Sequence, residues 1–258
     1  MKTTTLIATL ISMMFVSSAM AQSTPTAPLT PTVPAMITVS PNATAALASA
    51  TTNSVFIDQS GDNPTVNINQ IGSGNKMGTA INPVYLRGID QELVTIQQGS
   101  NNNISTLQVV NDSSGTNIGA QVTIRQIGNS NTVDAVCGDS TTGCNKAVIN
   151  WLFTGDSNSM YFRGQGTGLT SQVNASGNGN AFNVSMIGDN HTQMVDVSGN
   201  NNVYNLTQNS TGVSGSSMVL NQTGTGTTFN IQQSGTVDNV LSLRSMSNGG
   251  SFNILQRN

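Results

Sequence analysis

Charged side chains are scarce in this sequence. Asp, Glu, Lys and Arg together make up 7% of the 258 residues, against about 25% in typical globular proteins. The eight basic residues are scattered, and the formal net charge is -3. We therefore expect no nucleic acid partner and no anionic membrane surface bound by charge.

Aromatic residues and histidine are scarce as well. Aromatics make up 4% of the chain and hydrophobic residues 36%, which suits a thin, repetitive core better than a thick two-layer one. The one histidine, His191, occupies the Asn position of a repeat and is expected to be a solvent-facing turn residue. No nucleophile, base and orienting group can be assembled from the sequence, so we expect neither an enzyme nor a cofactor.

The chain has only two cysteines, Cys137 and Cys144, which flank the stretch 138–143. A local disulfide is expected to pin this stretch, because disulfides persist in the oxidising compartments that secreted proteins reach. Two cysteines and one histidine far away in sequence are too few ligands for zinc, so no metal site is predicted.

Proline is nearly confined to one segment. Five of the seven prolines lie between Gln22 and Thr52, a Thr/Pro/Ala-rich segment that we interpret as a disordered leader. From Asn53 to Asn258 the chain contains only Pro64 and Pro83. This long second segment must therefore tolerate few breaks in main-chain hydrogen bonding.

Residues 1–21 have the features of a signal peptide. Lys2 supplies a positive charge, the run from Leu6 to Val16 is largely apolar, and Ala19-Met20-Ala21 fits a cleavage site. The apolar run is short of the roughly 20 residues that a transmembrane helix needs. The sequence therefore predicts a secreted, extracellular protein without membrane insertion.

Glycine, asparagine and glutamine are abundant and recur at a fixed spacing. The motif Gln-x-Gly-x-x-Asn begins at Gln70, Gln97 and Gln126. Glycines continue at intervals of 11 residues from Gly155 to Gly199. Two such units make about 22 residues, a period typical of solenoids.

Between the glycines, apolar and polar residues alternate as in half-buried β-strands. Val66 and Ile68 precede Gln70, for example. A strand of about six residues, a turn and a second strand would close one coil, with the next coil about 4.8 Å above. We predict an all-β fold, a β-solenoid of stacked strand-turn-strand coils with repeats of about 22 residues.

Glutamine and asparagine at recurring inward positions need partners, because an unpaired buried amide loses about 1 to 3 kcal/mol. Identical amides one coil apart can bond to one another along the stack. We predict an amide ladder at Gln59, Gln70, Gln97, Gln108, Gln126, Gln208, Gln222, Gln233, Gln256, Asn75, Asn102, Asn131, Asn180 and Asn202. Turns are predicted at Gly61, Gly72, Gly99, Gly128, Gly155, Gly166, Gly177, Gly188, Gly199, Gly224 and Gly235. The glutamine position is filled by other residues in the middle of the chain, where we expect the ladder to be interrupted: Phe153, Gly164, Ala175, Met186 and Val197.

The pattern Ser/Asn-x5-Gln-x-Gly-x-x-Asn-x5-Gln resembles the curlin repeat, most clearly over Asn53–Asn75, Gln97–Gln108, Gln121–Asn131 and Ser216–Gln233. The resemblance implies a curli-like fimbrium, a functional amyloid that self-associates into fibres for biofilm matrix and adhesion. It also implies export through an outer-membrane pore and a nucleator on the cell surface. Irregular stretches near 73–92, 109–120 and 138–150 indicate a divergent member.

Other functions fit the repeat less well. A monomeric secreted β-solenoid adhesin or ice-binding protein would present a uniform outward ladder, and positions such as Thr65, Thr123 and Asn183 show none. A parallel β-helix enzyme would need charged groups clustered on one face. We expect instead that the strand Ser251–Gln256 leaves an open edge, which accepts the N-terminal edge of another copy.

Overall fold

The structure, a computed structural model, describes residues 52–61, 64–111, 119–138, 143–210, 216–235, 239–246 and 248–257. The predicted signal peptide (1–21) and all of the predicted leader except Thr52 lie outside these residues. Within them the chain forms 21 strands and no helix, which confirms the prediction of an all-β fold. Accordingly, no helix in this part of the chain could cross a membrane.

One side of the molecule is a nine-stranded parallel sheet, here called the first sheet. Its strands are Ser54–Val55, Ile57–Ser60, Lys76–Met77, Val84–Arg87, Asn103–Val110, Thr132–Cys137, Ser159–Gly164, Ala181–Met186 and Val203–Tyr204. Single parallel bridges join Val203 to Thr228 and Thr228 to Ser251. The strands and these bridges together make nine stacked levels, and the first two levels contain two strands each. The levels begin at Ser54, Lys76, Asn103, Thr132, Ser159, Ala181, Val203, Thr228 and Ser251.

The opposite side is a seven-stranded parallel sheet, here called the second sheet. Its strands are Thr65–Ser73, Glu92–Ser100, Gln121–Ile127, Val148–Thr154, Asn174–Ser176, Val197–Ser198 and Gln222–Thr223. Two shorter parallel sheets are separate from it: Cys144–Asn145 with Gly166–Thr167, and Thr192–Met194 with Ser217–Val219 and Val240–Ser242. Because successive strands pair in parallel with their equivalents one coil away, the fold is the predicted β-solenoid.

Coil length varies along the rod. Paired residues are 22 positions apart from Ser54 to Lys76, and again from Ser159 to Ala181 and from Ala181 to Val203. Three successive coils between these are longer, with 27 residues from Lys76, 29 from Asn103 and 27 from Thr132. The three irregular stretches of the sequence fall in these three coils. The first of them, near 73–92, includes the loop 78–83 between two strands of the first sheet, in which Ile81 is 87% exposed.

The core is a single layer of side chains between the two sheets. Along most of the longer strands buried residues alternate with more exposed ones, as in Val148–Thr154. Trp151 and Phe153 of this strand are buried, and the Trp151 ring meets Phe162 of the first sheet edge to face at 5.0 Å. The indole N–H of Trp151 donates to Ser171 Oγ at 3.0 Å, so its one polar atom is satisfied.

Candidate functional site

An unbroken column of asparagines runs along the turn that leads from the second sheet into the first. Its members are Asn53, Asn75, Asn102, Asn131, Asn158, Asn180 and Asn202. At each step the main-chain N–H of one asparagine donates to Oδ1 of the asparagine one coil earlier, at 2.9 to 3.1 Å. Thr227 donates to Asn202 in the same way at 3.0 Å. All five asparagines predicted for the ladder lie in this column.

The contacts of Asn131 show why the position needs an amide of this length. Its Nδ2 donates to Asn102 Oδ1 at 3.0 Å and to the Gly155 carbonyl of the next coil at 2.8 Å. Its Oδ1 accepts from the main-chain N–H and Nδ2 of Asn158. The side chain is fully buried. An aspartate has no N–H to donate and a glutamine is one methylene longer, so neither reproduces the set.

Two members of this column were missed in the sequence analysis. Asn158 follows Gly155 at the spacing that separates Gly128 from Asn131, and this signal is sufficient to find it. Asn53 precedes Asn75 by one regular coil of 22 residues.

The glutamines of the second sheet form a shorter column. Gln70 donates to Gln97 Oε1 at 2.6 Å, and Gln97 donates to Gln126 Oε1 at 2.8 Å. The positions that follow in register are Phe153, Ala175, Val197 and Gln222. Gln222 donates to Thr227 Oγ1 at 2.9 Å. Apolar side chains therefore interrupt the amide column here, as the sequence indicates.

In the first sheet, glutamines lie near the two ends of the rod. Gln59 is level with Leu86. Gln233 donates to Gln208 Oε1 at 3.1 Å, and the bridge between Gln232 and Leu255 places Gln256 one coil further on. The intervening inward positions are held by Leu86, Val109, Cys137, Gly164 and Met186.

Gln108 does not lie in this column, contrary to the sequence prediction. A β-bulge between Ile104 and Thr106 shifts the register. Leu107 and Val109 consequently take the inward positions, each 1% exposed. Gln108 is half-buried and donates to the Gly138 carbonyl at 3.0 Å. One extra residue in a strand moves every later side chain to the other face.

All eleven predicted turn glycines have positive φ, between 104° and 131°. Gly88, which was not predicted, has φ 129°. At Gly128 the reason is packing as well as conformation, because a Cβ there would overlap the carbonyl oxygen of Gly155 in the next coil. Stacked coils approach one another too closely at this turn for any side chain.

The disulfide predicted from the sequence is present. Cys137 and Cys144 are bonded, with their Cα atoms 5.2 Å apart, and both are buried. Cys137 is level with Val109 and Gly164, at an inward position of the first sheet. Of the stretch between the cysteines, residues 139–142 lie outside the described part of the chain.

Reducing this disulfide should lower the free energy of unfolding, because the unfolded chain regains the entropy that the closed loop withholds. The loop is short, so the expected loss is only roughly 2 to 3 kcal/mol. Chemical denaturation with and without reductant measures the change. A Cys137→Ala, Cys144→Ala variant is the control, since reductant should not alter it. An unchanged unfolding free energy after complete reduction would contradict this expectation.

A stack of aromatic rings, not predicted from the sequence, lies in the core of the last four levels. Phe182, Tyr204, Phe229 and Phe252 stack with centroids 4.9 to 5.3 Å apart and planes within 10°. The rings are nearly parallel because in-register pairing places identical positions one coil apart. Burial raises the pKa of the Tyr204 hydroxyl. Phe252, the last ring, is half-buried.

His191 is buried, so the expectation of a solvent-facing histidine is wrong. Its exposed fraction is 0%, and its Nε2 lies 2.8 Å from the carbonyl oxygen of Ile187. Asn75 makes the equivalent contact, donating to the Ile71 carbonyl four residues earlier. The imidazole thus closes its turn as the asparagine amide does elsewhere.

The outer face of the first sheet also contains a regular column of asparagines. The outward residues of the last four levels of the first sheet include Asn183, Asn205, Asn230 and Asn253 in register. Asn230 Nδ2 donates to Asn205 Oδ1 at 2.5 Å. Outward positions are therefore more uniform here than the sequence analysis indicated.

The ends of the rod expose residues that are buried elsewhere. In one inward column of the first sheet, the residues from Met77 to Phe229 are 0 to 2% exposed. Val55 and Phe252, at the two ends of that column, are only partly buried. The same holds for the other end-level core residues, Ile57, Val66 and Ile68 at one end and Leu241, Leu243 and Ile254 at the other. Among the described residues, each end level therefore has a strand edge with partly exposed apolar side chains.

Across the described residues, no three side chains of the His, Cys, Asp or Glu type lie close enough together to hold a metal ion. Comparison with known proteins found no matching family model, no matching curated protein and no matching solved structure.

Proposed function

We propose that this protein is a structural subunit of a secreted, curli-like fibre, and that copies stack end to end through the two end surfaces. The observation that carries the proposal is the contrast along one column of side chains. The column is buried from Met77 to Phe229 and only partly buried at Val55 and Phe252. Stacking copies head to tail buries the last level of one copy and the first level of the next in the same way as the interior levels.

The two ends are complementary in sequence. The last level begins Ser251-Phe252-Asn253-Ile254-Leu255-Gln256 and the first begins Ser54-Val55-Phe56-Ile57-Asp58-Gln59. Placing the first on the last in register puts isoleucine on isoleucine and glutamine on glutamine. The glutamine column of the first sheet, which ends at Gln256, would then continue into Gln59 of the next copy.

Main-chain hydrogen bonding supports the same contact. Ser54–Val55 and Thr65–Ser73 lie at the outer edges of their sheets, and among the described residues no strand pairs with those edges. At the other end, the N–H of Gln256 donates back to Gln232. An unpaired strand edge is a template for another chain, and a head-to-tail contact that does not close grows into a fibre.

The resemblance to the curlin repeat supports the biological setting. A signal peptide, an outer-membrane export pore, a cell-surface nucleator and a role in biofilm matrix and adhesion all belong to this proposal. The proposal also includes no catalytic activity, because the regular repeat of the chain serves stacking contacts.

Fibre diffraction is the direct test. Purified protein without its signal peptide, aged at micromolar concentration, should bind thioflavin T and give reflections near 4.7 Å along the fibre axis and near 10 Å across it. Protein that stays monomeric for days, with no thioflavin T signal, would contradict the proposal and favour the secreted β-solenoid adhesin.

A charge placed at the end surface should stop growth without unfolding the rod. Ile57 is partly buried in the first level, packed against the core. Lysine in its place reaches water in a free rod, but in a stack it would be an unpaired buried charge, which costs several kcal/mol. We expect Ile57→Lys to slow elongation by about a hundredfold or more, measured by thioflavin T kinetics with seeds.

The matched control is Asp58→Lys, one residue further along the same strand. Asp58 points outward and is level with Tyr85, so its lysine stays in water in either state. Fibre growth should persist in this variant. Equal elongation rates for Ile57→Lys and the unchanged protein, with both folded by circular dichroism, would rule out stacking through this end.

A further inference from the structure

The only histidine of the chain lies inside the rod, in the level that begins at Ala181. It is in the turn that leads from the first sheet into the second. The turn is stacked between two others: the N–H of Thr170 donates to the His191 carbonyl, and the N–H of Thr192 donates to the Ser216 carbonyl. His191 therefore occupies one position of a column, with Leu169 on one side and Ser216 on the other.

Several polar atoms at this place are buried without a hydrogen-bond partner. They are His191 Nδ1, Ser216 Oγ, and both Nε2 and Oε1 of Gln193. Gln193 is an inward residue of the same level, paired with Met218 of the next, and all three side chains are at most 2% exposed. Buried polar groups in folded proteins nearly always have partners, so these unpartnered atoms of His191, Gln193 and Ser216 mark a functional or a weak point.

The surroundings offer little to stabilise a positive charge. Asp189 is the one ionisable neighbour in the turn, and its Oδ1 accepts the Thr167 N–H at 3.0 Å. The adjoining stretches 165–169 and 209–216 contain no ionisable side chain. Burial lowers the pKa of His191, opposed in part by the Ile187 carbonyl and by Asp189. The neutral imidazole is thus the form that fits the closed turn.

We propose that His191 is an acid-sensitive switch, and that its protonation opens the segment 187–193, which is the turn and the start of the strand Thr192–Met194, and separates the levels on either side of it. A protonated imidazole carries a donor on each nitrogen, and the buried Nδ1–H would have no acceptor in the closed turn. Opening supplies water to this group. Because each level of a solenoid contacts only its neighbours, the opening is local to this part of the rod.

The direction of the pH effect follows from the direction of the pKa change. In the unfolded chain His191 takes up a proton near its ordinary pKa of about 6.5. In the closed turn it takes one up only at lower pH. The turn is therefore fully stable above about pH 6.5 and loses stability progressively as the pH falls below that value.

Hydrogen exchange on the full chain tests this proposal. Between about pH 7.5 and about pH 5, amide exchange in 187–193 should quicken by about tenfold or more beyond the intrinsic pH dependence of exchange. The control variant is His191→Asn, because asparagine makes the same contact to a carbonyl four residues earlier in the turn at Asn75. In this variant exchange across the turn should not respond to acid. An equal response in both proteins, or none in the unchanged protein, would overturn the proposal.

A second measurement does not depend on the variant folding. With one histidine in the chain, the imidazole resonances in an NMR spectrum come from His191 alone. They should titrate below the ordinary value of about 6.5, together with loss of protection at the amides of 187–193. Titration at or above that value, with the turn unchanged, would show that His191 is no switch. Neither outcome depends on whether the protein forms fibres.

Discussion

Replacing Asn131 by alanine should lower the free energy of unfolding by about 4 kcal/mol, because the change leaves three polar groups without partners in a buried turn. The groups are the main-chain N–H of Asn158, one N–H of its amide, and the carbonyl of Gly155. Asn102 Oδ1 keeps the main-chain N–H of residue 131, so the column is broken on one side only. Chemical denaturation followed by circular dichroism measures the loss.

The control lies two residues away in the same turn. Asn129 Oδ1 accepts the Ser100 N–H at 2.9 Å, and its Nδ2 contacts Asp156. This side chain is exposed, so water replaces its contacts, and Asn129→Ala should cost about 1 kcal/mol or less. Similar losses for the two variants would show that the buried column adds nothing to an ordinary turn asparagine.

The fold could be predicted because certain recurring positions in the coil accept only one type of residue. The turn at Gly128 excludes a Cβ and the position of Asn131 requires a short amide. Both constraints repeat once per coil, so they are visible as a period. Alternating inward residues such as Val122 and Ile124 add the strand signal. Consistent local preferences of this kind specify a repeated fold without any homologue.

What could not be predicted depends on single residues that break the period. The bulge near Ser105 moves Gln108 outward. No residue type in this strand predicts the extra residue of the bulge. His191 is buried because its imidazole reaches the carbonyl that an asparagine amide would bind. A single histidine in a predicted turn is more often solvated. The burial of His191 depends on the coils stacked on either side of it, which the local sequence does not show.

The aromatic stack is an intermediate case. Phe182, Tyr204 and Phe229 each stand at the first inward position of a level, and a period of 22 to 25 residues separates them. The spacing was in the sequence, but the contact depends on register. Only in-register parallel pairing places the rings over one another at about 5 Å.

The second large effect is expected at a glycine. Gly128 has φ 125°, and a Cβ there would overlap the main-chain carbonyl of Gly155 in the next coil. Gly128→Ala should therefore lower the free energy of unfolding by about 3 to 5 kcal/mol, since strained backbone and an overpacked contact each cost about 1 to 3 kcal/mol. Thermal and chemical denaturation measure the change.

Gly226 gives the cost of a positive φ without a close contact. Its φ is also positive, at 68°, but a Cβ at this position meets nothing within 4 Å. Gly226→Ala should cost only about 1 to 2 kcal/mol, the strain of a left-handed conformation. Equal losses for the two glycines would mean that close approach of the coils contributes nothing.

A larger loss at Gly128 has a consequence beyond the turn itself. The Gly155 oxygen that the new methyl group would displace is also the acceptor for Asn131 Nδ2 at 2.8 Å. Glycine column and asparagine column are therefore coupled through one carbonyl per coil. We expect Gly128→Ala combined with Asn131→Ala to cost less than the sum of the single changes, because the alanine at 131 has already given up the hydrogen bond that the clash would break.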